Sequence, residues 1–314
     1  MVEPIADARS LFAGVWGFPI TPFDKDLKID HRALDSIVDF QVHRQIPVIV
    51  ALGAIAEIDS LTGTEWREAL KTIVHAVDSR CPVIATLPTS FGEAVEAASI
   101  ANELNVSGVL LTPPSTAPQS GIHDYVTGVS RSAQLPTFIY VRGTPWLGLE
   151  LAEKLCESPL FVGIKDGVAD VRAYRRLRQA YADRLVFAAA WEDRALMYAA
   201  LGVDSYCPAS ASHDPVYARA LYERLSSADL VDATRLLDAF AYPLTDLRGQ
   251  RPGIDVSVVK AAMAVRGLPS GRVRPPSAGL TAEEQTQVEA LLGALDLLYD
   301  ADVTIDKMRV GAEA

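Results

Sequence analysis

The sequence predicts an α/β fold, a (β/α)8 TIM barrel with a C-terminal helical extension. Short apolar runs alternate with longer stretches of helical periodicity, the pattern of parallel strands joined by crossover helices. Eight such runs occur before residue 215. The first leads into Thr21-Pro22-Phe23-Asp24, not into the glycine-rich phosphate turn that opens a doubly wound sheet.

In chain order the strands are expected at 15–20, 48–52, 83–86, 108–111, 137–140, 161–164, 185–188 and 204–207. Between them, 31–44, 65–78, 91–104, 123–132, 149–157, 170–181 and 192–201 place apolar residues at helical spacing. From Pro215 onward only helical patterns remain, at 215–225, 227–240, 256–266 and 281–299. Two stretches rich in Gly, Pro and Arg, 247–253 and 267–279, read as linkers. The expected organisation is a barrel over 1–214 and a helical extension over 215–314 packed on it.

Composition narrows the function. The 314 residues are 49% hydrophobic and 22% charged, enough for a large buried core. A net charge of -11 argues against a nucleic-acid partner, which needs a concentrated basic surface. Cys81, Cys156 and Cys207 are too few and too scattered for a disulfide framework or a thiol redox pair, which fits a reducing cytoplasm. Residues 1–11 carry Glu3, Asp7 and Arg9 and lack the form of a signal peptide. No segment approaches the roughly 20 apolar residues that cross a bilayer, so no membrane partner is expected. The five histidines (31, 43, 75, 123, 213) show no metal-ligand spacing, and no metal is expected.

Barrel enzymes carry their chemistry at the C-terminal ends of the strands. Of the lysines, at 25, 28, 71, 154, 165, 260 and 307, Lys165 alone falls at a strand end. An amine with a free pKa of ~10.4 needs burial or a nearby cation to expose its lone pair, and a barrel mouth supplies burial. Such an amine condenses with a ketone to a Schiff base, an electron sink for breaking an adjacent C–C or C–O bond. The plain alternative is a solvated lysine paired with Asp166. Tyr140, ending the fifth strand, is either a proton-transfer phenol or core packing with a wet hydroxyl. Glu57 is an acid or base, or a carboxylate that caps a loop. The loops 189–192 and 208–211 lack the glycines with which a barrel enzyme wraps a phosphate.

These residues make a pattern that resembles the dihydrodipicolinate synthase and N-acetylneuraminate lyase family of Schiff-base barrel enzymes. The resemblance rests on Thr21-Pro22-Phe23, Gly53-Ala54-Ile55-Ala56-Glu57, Ser60-Leu61-Thr62, Tyr140 and Gly163-Ile164-Lys165-Asp166-Gly167. The run Lys165 to Asp170, with Val256 to Ala261 and Gly271 to Pro276, looks closest to the 5-dehydro-4-deoxyglucarate dehydratases. The resemblance implies a cofactor-independent lyase acting on a small 2-keto acid, assembled as a homo-oligomer, often a tetramer. By it Lys165 is the Schiff-base lysine and Tyr140 the proton-transfer phenol. Ala54 and Ile55 face the substrate carboxylate, Cys207 lies near the imine, and Ser212 stands where the dehydratases carry an asparagine lining the mouth.

The departures are informative. Ala54 and Ile55 replace residues whose threonine hydroxyls, in the family, bind carboxylate and relay protons. Val141 replaces an asparagine, and Ser115 stands in place of the synthase's second tyrosine. Arg142 offers a substitute, because a guanidinium holds a carboxylate through two parallel hydrogen bonds. Three readings stay open: a hydro-lyase that dehydrates and decarboxylates a sugar diacid, a dihydrodipicolinate synthase-like or pyruvate aldolase activity, and a catalytically silent barrel that binds keto acids.

Overall fold

The computed structural model describes residues 6–301 apart from 115, 144, 145 and 191. Eight parallel strands close into a barrel in sequence order: β1 (Gly14–Gly17), β2 (Val48–Ala51), β3 (Val83–Thr86), β4 (Gly108–Leu111), β5 (Thr137–Val141), β6 (Phe161–Asp166), β7 (Val186–Ala190) and β8 (Ser205–Cys207), the last pairing with β1. A short helix, α1 (Ala6–Phe12), precedes them. The crossover helices follow the strands in turn: α2 (His31–His43), α3 (Gly63–Val77), α4 (Phe91–Glu103), α5 (Gln119–Ala133), α6 (Leu149–Cys156), α7 (Val171–Tyr181), α8 (Ala195–Leu201) and α9 (Pro215–Ser226). Side chains start several of them. Asp30, Asp170 and Asp214 each accept from an amide of the first turn, and Thr62 with Glu65 forms a reciprocal capping box.

The strands alternate between an outer face against the helices and an inner face that fills the barrel. Outward go Ile49, Val109, Ile139 and Phe187; inward go Val50, Ile84, Leu110, Tyr140 and Ala188. Near the N-terminal end of the strands, Phe138 meets Phe12 and Trp16 edge-on at 5.0 and 5.2 Å. The Phe12 carbonyl accepts from both Trp16 Nε1 and Ser205 Oγ, each at 2.7 Å, and so ties α1 to the barrel. This helix was not foreseen.

The alternation in β6 is reset by a bulge. Thr137 pairs with Phe161 but Phe138 pairs with Gly163, so Val162 is an extra residue on β6. Beyond it Tyr140 lies opposite Lys165. A one-residue slip would send Lys165 to the outer face and Ile164 into the barrel. Gly163 makes the shift feasible, because a Cβ there would sit 2.4 Å from the Phe138 ring and 2.8 Å from the Val186 carbonyl.

Several boundaries differ from expectation, β6 running on to Asp166 and α5 beginning at Gln119 among them, and two of the differences have a plain cause. β1 stops at Gly17, short of 20, because Pro19 has no amide to donate to the ladder. The helix expected over 227–240 is α10 (Leu230–Leu236), and it continues through a π turn, Leu237–Ala241, into α11 (Tyr242–Gly249). Pro243 cannot donate, and the ladder takes a wider step in which Tyr242 N–H reaches the Leu237 carbonyl. The first three residues of the expected linker at 247–253 are therefore the end of a helix. Helices α12 (Asp255–Val265) and α13 (Ala282–Ala301) complete the described chain close to their expected places. Helix α9 packs on β1.

The second expected linker is strapped to the barrel. Arg272 N–H donates to the Phe23 carbonyl at 2.8 Å, and Gly271, at φ +67°, passes so close that a Cβ would meet Phe23 N at 2.6 Å. Arg274 grips Glu65 through both carboxylate oxygens, which holds that carboxyl down to about 2. Beside it the buried Lys260 ammonium of α12 donates to Glu57 Oε1 at 2.7 Å, to the Thr21 carbonyl at 2.8 Å and to the Arg272 carbonyl. Glu57 Oε2 takes Arg274 N–H at 2.8 Å. Removing one partner of a buried pair strands the other charge, which costs about 3–5 kcal/mol. Lys260→Met is expected to lower unfolding stability in urea by that order, and Lys260→Met/Glu57→Gln to recover part of it. A single variant as stable as the parent would show that the pair does not hold the extension on the barrel.

Candidate active site

The inner face of the strands ends in a cavity of about 120 Å³ at the C-terminal mouth of the barrel. Lys165, Tyr140, Arg142, Cys207, Ala54 and Ile55 all line it. Lys165 is 8% exposed, and its Nζ lies 4.3 Å from the ring centroids of both Phe18 and Tyr140. The rings of Phe18 and Tyr140 and the small side chain of Ala190 share the cavity wall with this almost wholly buried amine.

Burial pushes the Lys165 amine below its ordinary 10.5, and the Arg142 guanidinium pushes it the same way. A Cys207 thiolate would oppose this, but burial lifts the thiol to about 12 and keeps it protonated near neutral pH. Tyr140 is also pushed up to about 12 by burial, against the pull of Arg142, so it holds a neutral phenol. Gly167 gives that ring its place: a Cβ there would stand 2.7 Å from the ring and 2.8 Å from the hydroxyl.

Asp166 does not pair with Lys165. It is the next residue on a strand and points to the other face, where Oδ1 accepts from Tyr198 OH at 2.6 Å and from the amides of Val168 and Ala169 at 2.9 Å. The solvated-pair reading of Lys165 therefore fails. Ser212 is absent from the lining; its fully buried hydroxyl donates to the Phe18 carbonyl at 2.8 Å and steadies Phe18 from behind. Glu57 is the loop-holding carboxylate of the Lys260 pair and does not line the cavity. Arg142 is exposed at the rim. Ser115 and Trp191 lie outside the described residues.

Several lining residues went unread in the sequence. Phe18 follows β1, and its parity with Trp16 was the available signal. Thr86 ends β3 with its hydroxyl inside the cavity wall. Glu192, 2% exposed, accepts from Ser210 N–H at 3.3 Å and lies 3.8 Å from Arg248, which in turn grips Asp255 at 2.6 Å. Burial raises the Glu192 carboxyl while Arg248 opposes it. Arg248 and Asp255 come from α11 and α12, so the C-terminal helices build one wall of the cavity. Among the described residues no cluster of three or more His, Cys, Asp or Glu gathers that could hold a metal.

An amine with a depressed pKa beside a protonated phenol is equipped to attack a carbonyl and to move protons on the adduct. A model of the "Dihydrodipicolinate synthetase family" matches residues 11–295. A "Probable 5-dehydro-4-deoxyglucarate dehydratase" of Xanthomonas campestris pv. campestris (strain B100) is 34% identical over 298 residues, covering 92% of this chain and 97% of its own. One of the same description from Bradyrhizobium sp. (strain ORS 278) is 32% identical over 308 residues, with 96% and 98% covered. In fold the chain is similar to the dihydrodipicolinate synthase of Oceanobacillus iheyensis, with a TM-score of 0.86 at 24% identity over 92% of this chain and 98% of that one. The chain belongs to the dihydrodipicolinate synthetase family.

Proposed function

We propose that the chain is a Schiff-base lyase that takes a 2-keto sugar diacid and removes water and carbon dioxide from it. The observation that carries this reading is the pairing of Lys165 with Tyr140 on the inner face of the barrel, at a mouth with no competing partner role for Asp166. The dehydratase form of the reaction is supported by the near full-length relatives of that description.

The neutral Lys165 amine adds to the ketone, and the carbinolamine loses water to give an iminium. The iminium acidifies the neighbouring C–H. Loss of that proton gives an enamine, whose electrons expel the hydroxyl one carbon further on as water. The conjugated iminium then accepts the electron pair of the far C–CO2 bond and carbon dioxide leaves; the resulting dienamine takes a proton on carbon, and hydrolysis of the iminium so restored frees Lys165. Tyr140 is the group positioned to pass protons to and from these intermediates. Arg142, a cation at the rim, suits a substrate carboxylate. Among the described residues no helix is long and apolar enough to cross a membrane. The scattered cysteines favour the cytoplasm, and family membership favours a homo-oligomer.

Borohydride added with a panel of 2-keto acids is expected to leave a reduced adduct on the peptide containing Lys165, read by mass spectrometry. Lys165→Arg keeps a charge that never deprotonates and is expected to abolish the adduct. Tyr140→Phe is expected to retain trapping but slow turnover by ~10² to 10⁴. An adduct equally abundant on Lys165→Arg, or none on the parent, would leave the silent barrel as the better account. Arg142→Ala is expected to raise the keto-diacid concentration needed for half-maximal trapping; an unchanged concentration would remove Arg142 from substrate binding.

A further inference from the structure

A 2-keto acid bound through Lys165 brings its carboxylate, attached to the imine carbon, into a cavity whose loop 53–57 carries no hydroxyl to meet it. A carboxylate out of water without hydrogen-bond donors is strongly disfavoured, and with the hydroxyls gone this loop offers only backbone amides, so a side-chain donor elsewhere on the wall would complete the set. The structure offers one in Thr86.

Thr86 is the last residue of β3 and is 5% exposed. It pairs in register with Leu110 and shares the inner face with Ile84. Its Oγ1 is sealed from solvent and has no hydrogen-bond partner, unusual for a hydroxyl that could have turned to a local carbonyl. It lies 3.8 Å from where a Cβ on Gly53 would stand, against the turn that leads into Ala54 and Ile55. The strand end is held from outside, where Trp66 Nε1 donates to the Thr86 carbonyl at 3.0 Å. The strand end is thus held, and its hydroxyl, unengaged, is set one strand over from the loop whose side chains have none.

We propose that Thr86 Oγ1 donates to the carboxylate next to the imine carbon and sets the preference of this site for 2-keto acids over uncharged ketones. The proposal rests on the Schiff-base reading above. It makes Thr86 a binding residue that stands in for the absent hydroxyls at Ala54 and Ile55, and it leaves Arg142 at the rim to a second, distal carboxylate.

The test compares borohydride trapping of pyruvate and of methyl pyruvate, its uncharged ester, on the parent chain, Thr86→Val, Thr86→Ser and Thr86→Ala. Valine keeps the shape of threonine and removes only an unpartnered hydroxyl, so Thr86→Val is expected to unfold no earlier than the parent. The pyruvate concentration for half-maximal trapping is expected to rise about 10- to 100-fold in Thr86→Val and Thr86→Ala, the range for a hydrogen bond to a charged group. Thr86→Ser is expected to stay near the parent, and methyl pyruvate to be trapped alike by all four. A Thr86→Val chain that traps pyruvate as the parent does overturns the proposal and leaves the Schiff-base reading intact. Equal losses for acid and ester also overturn it, since the hydroxyl would then act on the amine or the cavity shape. A parent chain that traps neither compound overturns both readings.

Discussion

The site depends on the register between β5 and β6. The extra residue at Val162 shifts the pairing by one, and that shift faces both Tyr140 and Lys165 into the barrel, opposite each other. Gly163 yields its side-chain space to Phe138, and Gly167 yields its own to the Tyr140 ring. From this placement the electrostatics follow without a dedicated base. The amine is depressed because it is buried and feels the charge of Arg142; the phenol and the thiol are pushed up because they are buried as well.

The C-terminal segment serves the mouth and is more than a cover for the barrel. Lys260 and Arg274 reach back to Glu57 and Glu65, so the loop bearing Ala54 and Ile55 is anchored from α12 and from the strap over Phe23. Arg248, from α11, stands between Glu192 and Asp255 in the cavity wall. A separate cluster ties α13 to the barrel's end: Asp214 takes Arg266 at 2.9 Å and Tyr299 OH at 2.5 Å. The loop shape at residues 53–57 is thus a consequence of contacts made more than two hundred residues later.

Much of this was legible in the sequence, and the limits have physical causes. The eight strands were visible because parallel strands, covered on both faces, are nearly continuous apolar runs. Lys165 stood out because a charge at the end of such a run needs a reason, and Cys207, Arg142, Ala54 and Ile55 followed into the same cavity. Ser212 did not: a position matched by resemblance says nothing of where its hydroxyl points, and this one points to a carbonyl. The bulge at Val162 has no composition signal of its own. Glu192, Arg248 and Thr86 were unreadable for a related reason. An acid in a loop, an arginine near a helix end and a threonine in a strand all have ordinary surface or packing roles until the fold brings them to one cavity.

The central claim is that burial on the inner face of β6 depresses the Lys165 amine and so fits it to act as a nucleophile. The most direct measurement is the titration of its Nζ by NMR in protein carrying ¹⁵N-labelled lysine, with the signal assigned by its loss in Lys165→Arg. The account expects a midpoint below the ordinary 10.5 and a further difference from the exposed lysines of the same chain. A midpoint at or above 10.5 would mean that the amine is solvated or paired, and would contradict it.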